Sequence, residues 1–223
     1  MKIKNALFKF IDATIGNILC RLTGIYDFIF RQNTKQNIII PQPETIKNIL
    51  VIRPGGMGDM IMLLPVLKSL TDVYKNAQIT IICEHRNLDI LKLAAIKCEI
   101  IPYDKNTISF LYKLRRKKYD IAIDTEQFHN FSSLFAYWSR ASVRIGFKIN
   151  PLRNNLYTHM INYAPDENET CQFSLLLQPL NIPLPSNITS PITPLPLPTM
   201  ITPIDFQEML KGNVCIFHPG TTS

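Results

Sequence analysis

From residue 47 to residue 147 the chain alternates short apolar runs with longer segments whose apolar residues recur at helical spacing. The apolar runs are Asn48–Arg53, Gln78–Cys83, Glu99–Pro102, residues 120–124 and residues 142–147, short and mostly rich in Ile and Val, which predicts strands. The intervening spacing predicts helices over residues 59–74, 87–95, 107–118 and 131–140, with Pro65 tolerated as a kink in the first. Apolar strands alternating with helices imply a parallel sheet covered on both faces, so the expected fold class is α/β with a Rossmann-like sheet. Beyond residue 163 the alternation weakens. A helix over residues 169–180 precedes a passage with prolines at 183, 185, 191, 194, 196, 198 and 203, which suits an extended, semi-rigid linker. An apolar strand, residues 213–217, then delivers Gly220, Thr221 and Thr222 in a loop whose hydroxyls and backbone N–H groups suit a phosphate. The sequence stops there, so this end reads as a second α/β domain cut just after it begins. The expected organisation is residues 1–46 as a helical extension and connector, 47–181 as the Rossmann-like domain, 182–212 as linker, and 213–223 as the start of a further domain.

Upstream of the first strand, Leu7, Ile11, Ile15, Ile18, Leu22, Ile25 and Ile29 form a stripe at helical spacing. Lys2, Lys4, Lys9, Asp12 and Arg21 interrupt the apolar run, so no uncharged stretch is long enough to cross a bilayer, and no signal-peptide cleavage pattern is present. Gly16 and Gly24 are expected to loosen or divide the helix. The stripe has two readings. It packs on the chain's own domain, or it lies in a membrane surface with Phe8, Phe10, Phe28 and Phe30 among the headgroups and the lysines against anionic lipid.

The densest pattern is residues 47–64, KNILVIRPGGMGDMIMLL, a strand, a glycine-rich corner and a helix. Gly55, Gly56 and Gly58 allow backbone angles that a side chain would forbid and let another molecule approach the main chain. Asp59 falls at the start of the helix, where a carboxylate can cap free N–H groups. A carboxylate at the carboxyl end of the first strand of an open sheet also lies where ligands bind, so both roles stay open. Arg53 either pairs with an anionic ligand or is a solvated strand end. Asp124, Glu126 and Gln127, after the fourth strand, either hydrogen-bond ligand hydroxyls or cap the next helix. His85 and His129 lack further ligands at metal spacing. The basic run from Arg115 to Lys118 is a solvated helix end or part of an anion-facing surface.

Charge narrows the partners. The 223 residues hold 24 Lys and Arg against 17 Asp and Glu, a net charge of +7, which suits nucleic acid, a phosphorylated glycolipid or a membrane surface. No aromatic and basic interleaving of a nucleic-acid module is present, which ranks that class last. The five cysteines are scattered, as expected of reduced thiols in a cytosolic protein rather than a disulfide framework or zinc site.

Four segments in order, RPGGMGDMIMLLP, DIAIDTEQF, SVRIGF and CIFHPGTTS, together resemble glycosyltransferase family 9, the bacterial heptosyltransferases of lipopolysaccharide synthesis. The resemblance covers about residues 47–223. It implies the first half of a two-domain GT-B fold, with the acceptor on the first domain and a nucleotide-sugar donor, usually ADP-heptose, on the second. By the same resemblance Asp59 is the general base of an inverting transfer that needs neither metal nor other cofactor. Arg53, Gly55, Gly56, Met57, Gly58, Glu126 and Gln127 would then face an anionic glycolipid acceptor, and Gly220, Thr221 and Thr222 the donor phosphates. The expected setting is the cytoplasmic face of the inner membrane. The basic residue that follows the threonine loop in the family is absent here, so this chain alone is expected to be inactive. Two other classes compete. A dinucleotide-binding enzyme would use Gly56, Gly58 and Glu84, but Ile61 replaces the third small residue and Asp59 would oppose a pyrophosphate. A Walker loop lacks its Lys-Ser/Thr pair. A non-catalytic acceptor- or membrane-binding module would need only the first domain.

Overall fold

The computed structural model describes residues 10–31, 40–104 and 107–183. In chain order its elements are α1 (Asn17–Arg31), β1 (Asn48–Arg53), α2 (Met57–Val73), β2 (Gln78–Cys83), α3 (Leu88–Leu93), β3 (Glu99–Pro102), α4 (Thr107–Arg116), β4 (Ile121–Asp124), α5 (Asn130–Trp138), β5 (Val143–Lys148), α6 (Pro151–Asn154), β6 (His159–Asn162) and α7 (Glu169–Leu175). A π-wound turn, Asp12–Gly16, leads into α1.

The six strands form one parallel sheet in the order β3-β2-β1-β4-β5-β6. Asn48 stands opposite Gln78 on one side of β1, and Ile49 opposite Ile121 on the other. The order reverses between β1 and β4, which opens a crevice at their carboxyl ends, the usual ligand position in such sheets. Side chains of successive strand residues point to opposite faces, so both faces of these strands must be apolar. Ile49, Val51, Ile81, Ile123 and Ile145 pack with Met60, Leu63 and Leu67 of α2 and Phe173 of α7. Leu50, Ile52, Ile82 and Ala122 pack on the other face with Phe110 and Leu114 of α4 and Phe135 of α5. The α/β, Rossmann-like architecture expected from the alternation is the one observed.

Several boundaries and one strand differ from the expectation. α2 begins at Met57, α4 ends at Arg116, and the helix expected over residues 169–180 divides into α7 and a 3-10 turn, Gln178–Leu180. β6 was not foreseen, because His159–Asn162 is a half-exposed edge strand with polar ends and no continuous apolar run. Neither glycine divides the N-terminal helix; α1 runs through Gly24, and the irregularity at Gly16 is the π turn. The basic run lies at the amino edge of the sheet. Lys117 Nζ donates to Glu99 at 2.8 Å and to Thr80 at 2.9 Å, the first residue of β3 and a neighbour on β2. The proline-rich passage beyond Pro183, the strand expected over residues 213–217, and Gly220, Thr221 and Thr222 lie outside the described residues.

The largest departure concerns α1. The helix does dock on the domain, but not through its apolar stripe. Asp12, Gly16 and Cys20 face inward, with Cys20 against Leu134 and Leu156. Ile15, Ile18, Leu22, Ile25 and Ile29 are each 49–61% exposed on the opposite side.

Candidate active site at the carboxyl ends of β1 and β4

β1 ends in Arg53, and the chain turns through Pro54, Gly55 and Gly56 into α2. Gly56 is the N-cap of α2 at φ −68° and ψ 171°, and its first turn receives no side-chain cap. The Asp59 carboxylate turns instead toward the strand, accepting from Arg53 Nη2 at 2.5 Å. The Arg53 side chain is 4% exposed and that of Asp59 40% exposed, so a buried guanidinium holds a carboxylate that still reaches solvent. Arg53 Nη1 donates to the Thr125 carbonyl at 2.8 Å, and its guanidinium lies 5.1 Å from the Phe173 ring centroid. Arg53 is therefore not a solvated strand end, but a buried cation at the cavity that already pairs with Asp59. Space, not backbone angle, explains the glycine beside it: a Cβ on Gly55 would overlap the Arg53 guanidinium, and none of the three glycines has left-handed φ.

The β4 end is built around a second buried arginine. Arg153, on the single-turn α6 that Asn150 caps through Leu152 N at 3.0 Å, is 1% exposed. Its Nη2 donates to the Glu126 carbonyl at 2.5 Å, to Tyr157 Oη at 3.0 Å and to Asp124 at 3.3 Å, and its Nη1 donates to the Gln127 carbonyl. Asp124 is fully buried. Tyr157 donates to it at 2.6 Å and the Glu126 N–H at 3.0 Å, so it supports the loop from behind and is not available to ligand hydroxyls. Burial raises its carboxyl above the ordinary range despite Arg153 and these bonds. Gly146 of the SVRIGF segment leaves the room this cluster needs, because a Cβ there would overlap the Tyr157 ring.

Between these two ends lies a cavity of about 930 Å3, lined by Arg53, Gly55, Gly56, Asp59, Glu126 and Gln127 among others. This volume falls within the range of roughly 300–1,000 Å3 common for small-molecule sites. Of the residues expected from sequence, Met57 is 52% exposed and lies outside this lining, as does Gly58. Five carboxylates line the cavity, Asp59, Glu84, Asp104, Glu126 and Glu169, against two arginines, Arg53 and Arg86. The opposite wall is apolar, with Phe110, Phe131, Phe135 and Trp138, and Phe110 and Phe135 meeting edge to face at 4.8 Å.

Some lining residues carried no local signal in the sequence. Glu169, at the start of α7, accepts from Gln127 Nε2 at 2.8 Å and from Tyr163 Oη at 2.7 Å. Burial and that carboxylate push the Tyr163 phenol up to about 12. Glu84 accepts from Tyr103 Oη at 3.2 Å and pairs with Arg86 at 2.6 Å. The N-terminal segment also enters the site. Ile11 lines the cavity, and Asp12 accepts from the N–H groups of Asn130 and Phe131 at 2.9 and 2.8 Å and lies 3.6 Å from His129. His129, the N-cap of α5, offers no side-chain cap, so a carboxylate from the distant extension fills that role. Burial raises the Asp12 carboxyl, but the His129 and backbone N–H bonds outweigh it and hold it below the usual range. Among the described residues no group of three or more His, Cys, Asp or Glu is placed to hold a metal, and the four cysteines are free.

A parallel sheet in this order, with a ligand-sized cavity at its switch point, has the Rossmann-like architecture found in one half of the GT-B fold. Solved structures similar to it include E. coli heptosyltransferase WaaC with ADP, at TM-score 0.53 and 21% identity over 62% of this chain and 48% of that chain. The glycosyl transferase family 9 structure from Veillonella parvula DSM 2008 gives TM-score 0.55 and 20% identity over 64% and 43%. WaaC with ADP-2-deoxy-2-fluoro heptose gives TM-score 0.51 and 20% identity over 62% and 50%. The chain thus spans about half the length of these structures, and the likeness at such identities is one of fold. No protein-family model and no curated protein matches the chain.

Proposed function

We propose that residues 47–181 are the acceptor-binding half of an inverting glycosyltransferase, which moves a heptose or related sugar from a nucleoside-diphosphate sugar to a hydroxyl of a lipopolysaccharide-core glycolipid. The observation that carries this is Asp59, a carboxylate held from within by Arg53 yet open to a ligand-sized cavity. A sugar hydroxyl is a weak nucleophile, and a positioned base contributes roughly a hundred- to ten-thousandfold. In the step proposed, Asp59 takes the acceptor hydroxyl proton as that oxygen bonds to the anomeric carbon. The bond from that carbon to the diphosphate breaks on the opposite face, and the nucleoside diphosphate leaves with the electron pair. Gly220, Thr221 and Thr222 are our candidates for meeting the charge that grows on it. ADP-heptose is the donor we favour, a choice supported by solved neighbours that carry ADP and ADP-2-deoxy-2-fluoro heptose.

The lining refines the acceptor. Five carboxylates against two arginines suit sugar hydroxyls, which donate to carboxylates, better than anionic groups. With Arg53 already engaged, the phosphate or acid groups of an anionic glycolipid would stay at the mouth of the cavity. The setting we infer is cytoplasmic, at the inner face of the membrane.

The test uses a protein extended through the donor half. Asp59→Asn is expected to lower transfer by about a hundred- to ten-thousandfold while calorimetric binding of ADP stays unchanged and the protein, though less stable for want of the Arg53 ion pair, still melts as a folded domain. Substantial residual turnover would reduce Asp59 to a structural ion-pair partner, and ADP-heptose and ADP binding to neither form would reject the donor.

A further inference from the structure

The N-terminal helix is inside out by the standard of a water-soluble domain. Its inward face is made of Asp12, Gly16, Cys20 and Asp27, small or polar residues that are all buried. Its outward face carries Ile15, Ile18, Leu22, Ile25 and Ile29, alternately three and four residues apart, with Phe10 at 65% and Tyr26 at 55% exposure beside them. The inward packing is specific. A Cβ on Gly16 would come within 3.0 Å of Asn130 Cβ, Cys20 Sγ lies 3.6 Å from Ser133 Oγ, and the Asp12 carboxylate caps α5. The docking geometry is therefore fixed by one face, and the apolar face is left outward over about 21 Å at 1.5 Å per residue.

We infer that this face is a docking surface for an anionic lipid bilayer, in which α1 lies flat with its isoleucines among the upper acyl chains. Charge selects the occupant. Residues 1–31 contain Lys2, Lys4, Lys9, Arg21 and Arg31 against Asp12 and Asp27, and both acids are turned into the domain, at 4% and 1% exposure. Arg21 is exposed beside the stripe, and neither acid of the described helix lies on that face. An amphipathic helix of this kind binds through apolar insertion together with attraction to anionic headgroups. A second copy of the same helix would gain no ion pairs across the contact and would add like charges. No helix of the described residues is long and apolar enough to cross a membrane, which agrees with a helix lying in the surface. Ile11 joins this helix to the cavity wall, so a bilayer under α1 would bring lipid-anchored acceptors to the cavity mouth. That last clause rests on the acceptor reading above; the lipid surface itself does not.

The experiment is co-sedimentation of the chain with vesicles of phosphatidylcholine alone and of phosphatidylcholine with phosphatidylglycerol, followed by analytical ultracentrifugation without lipid. We expect binding to the anionic vesicles, weakened by salt, and a monomer in solution. The combined Ile18→Glu, Leu22→Glu and Ile25→Glu variant is expected to lose binding by about a hundredfold or more, because three inserted side chains become charged. These positions are 57, 59 and 56% exposed, so the melting temperature should hold. If that variant were to unfold, Arg21→Glu alone should still cut binding to anionic vesicles several-fold. Vesicle binding unaffected by either variant, or absent from the unmodified chain, overturns the inference, as does a dimer that the triple variant dissolves without any lipid affinity. None of these readouts involves sugar transfer, so failure of Asp59→Asn to abolish activity leaves this result standing, and the converse holds.

Discussion

Arg53 and Gly55 stand two positions apart and cannot both carry full side chains, because the guanidinium occupies the space a Cβ on Gly55 would need. Gly55→Ala is therefore expected to push Arg53 off Asp59, at a cost of about 1–3 kcal/mol in stability while the far-UV spectrum is retained and, under the transferase reading proposed above, with transfer by the extended protein falling. Equal stability and activity in that variant would show that Arg53 has another seat. Arg153 is the more exacting residue. It is the cation that pairs with the fully buried Asp124, and it also holds the Glu126 and Gln127 carbonyls. Arg153→Met leaves that carboxylate uncompensated, and a loss of about 3–5 kcal/mol is expected by chemical denaturation, since removing one partner of a buried pair costs far more than removing both. The companion variant Asp124→Asn in the Arg153→Met background should recover part of it.

At the scale of elements, α5 receives its N-terminal cap from Asp12 of the extension. Asp12→Ala is expected to destabilise the chain by about 1–2 kcal/mol, measured by thermal melting. The same contact sets an acid limit. The folded carboxyl lies below its ordinary value, so its stabilisation is complete at neutral pH and is lost as pH falls through the depressed value. Below about pH 4 the difference in stability between the Asp12→Ala variant and the unmodified chain should shrink toward zero. The elements themselves were largely legible in the sequence. Every strand with a continuous apolar run was readable from that run, because a strand buried on both faces must be apolar throughout. β6 was not, because an edge strand needs no such run. Asp59 and the glycine corner were legible as a candidate site for the same local reason, a motif contained in a few residues. Glu169, Arg153 and Asp12 were not, since each acts on a loop or helix 27 to 118 residues away and nothing near it in sequence marks the partner. The helical period of the N-terminal stripe was readable. The side it faces was not, because that depends on Gly16 and Cys20 fitting against α5 and α6.

For the molecule as a whole, the cavity draws on both ends of the described chain, with Ile11 at one end and Glu169 at the other. One tie across much of that distance is the Asp12 carboxylate on the N–H groups of Asn130 and Phe131, which lie 118 and 119 residues beyond it in sequence. Such a contact is costly to form early, because the chain between must first be ordered. It also has a consequence for the order of events during synthesis. The N-terminal helix leaves the ribosome well before its seat on α5 exists, and domains are assembled as the chain emerges. Throughout that interval the helix has no protein surface to occupy. A nascent chain made close to a bilayer would meet lipid before it meets its own domain, and the domain would then complete itself on a helix already in place.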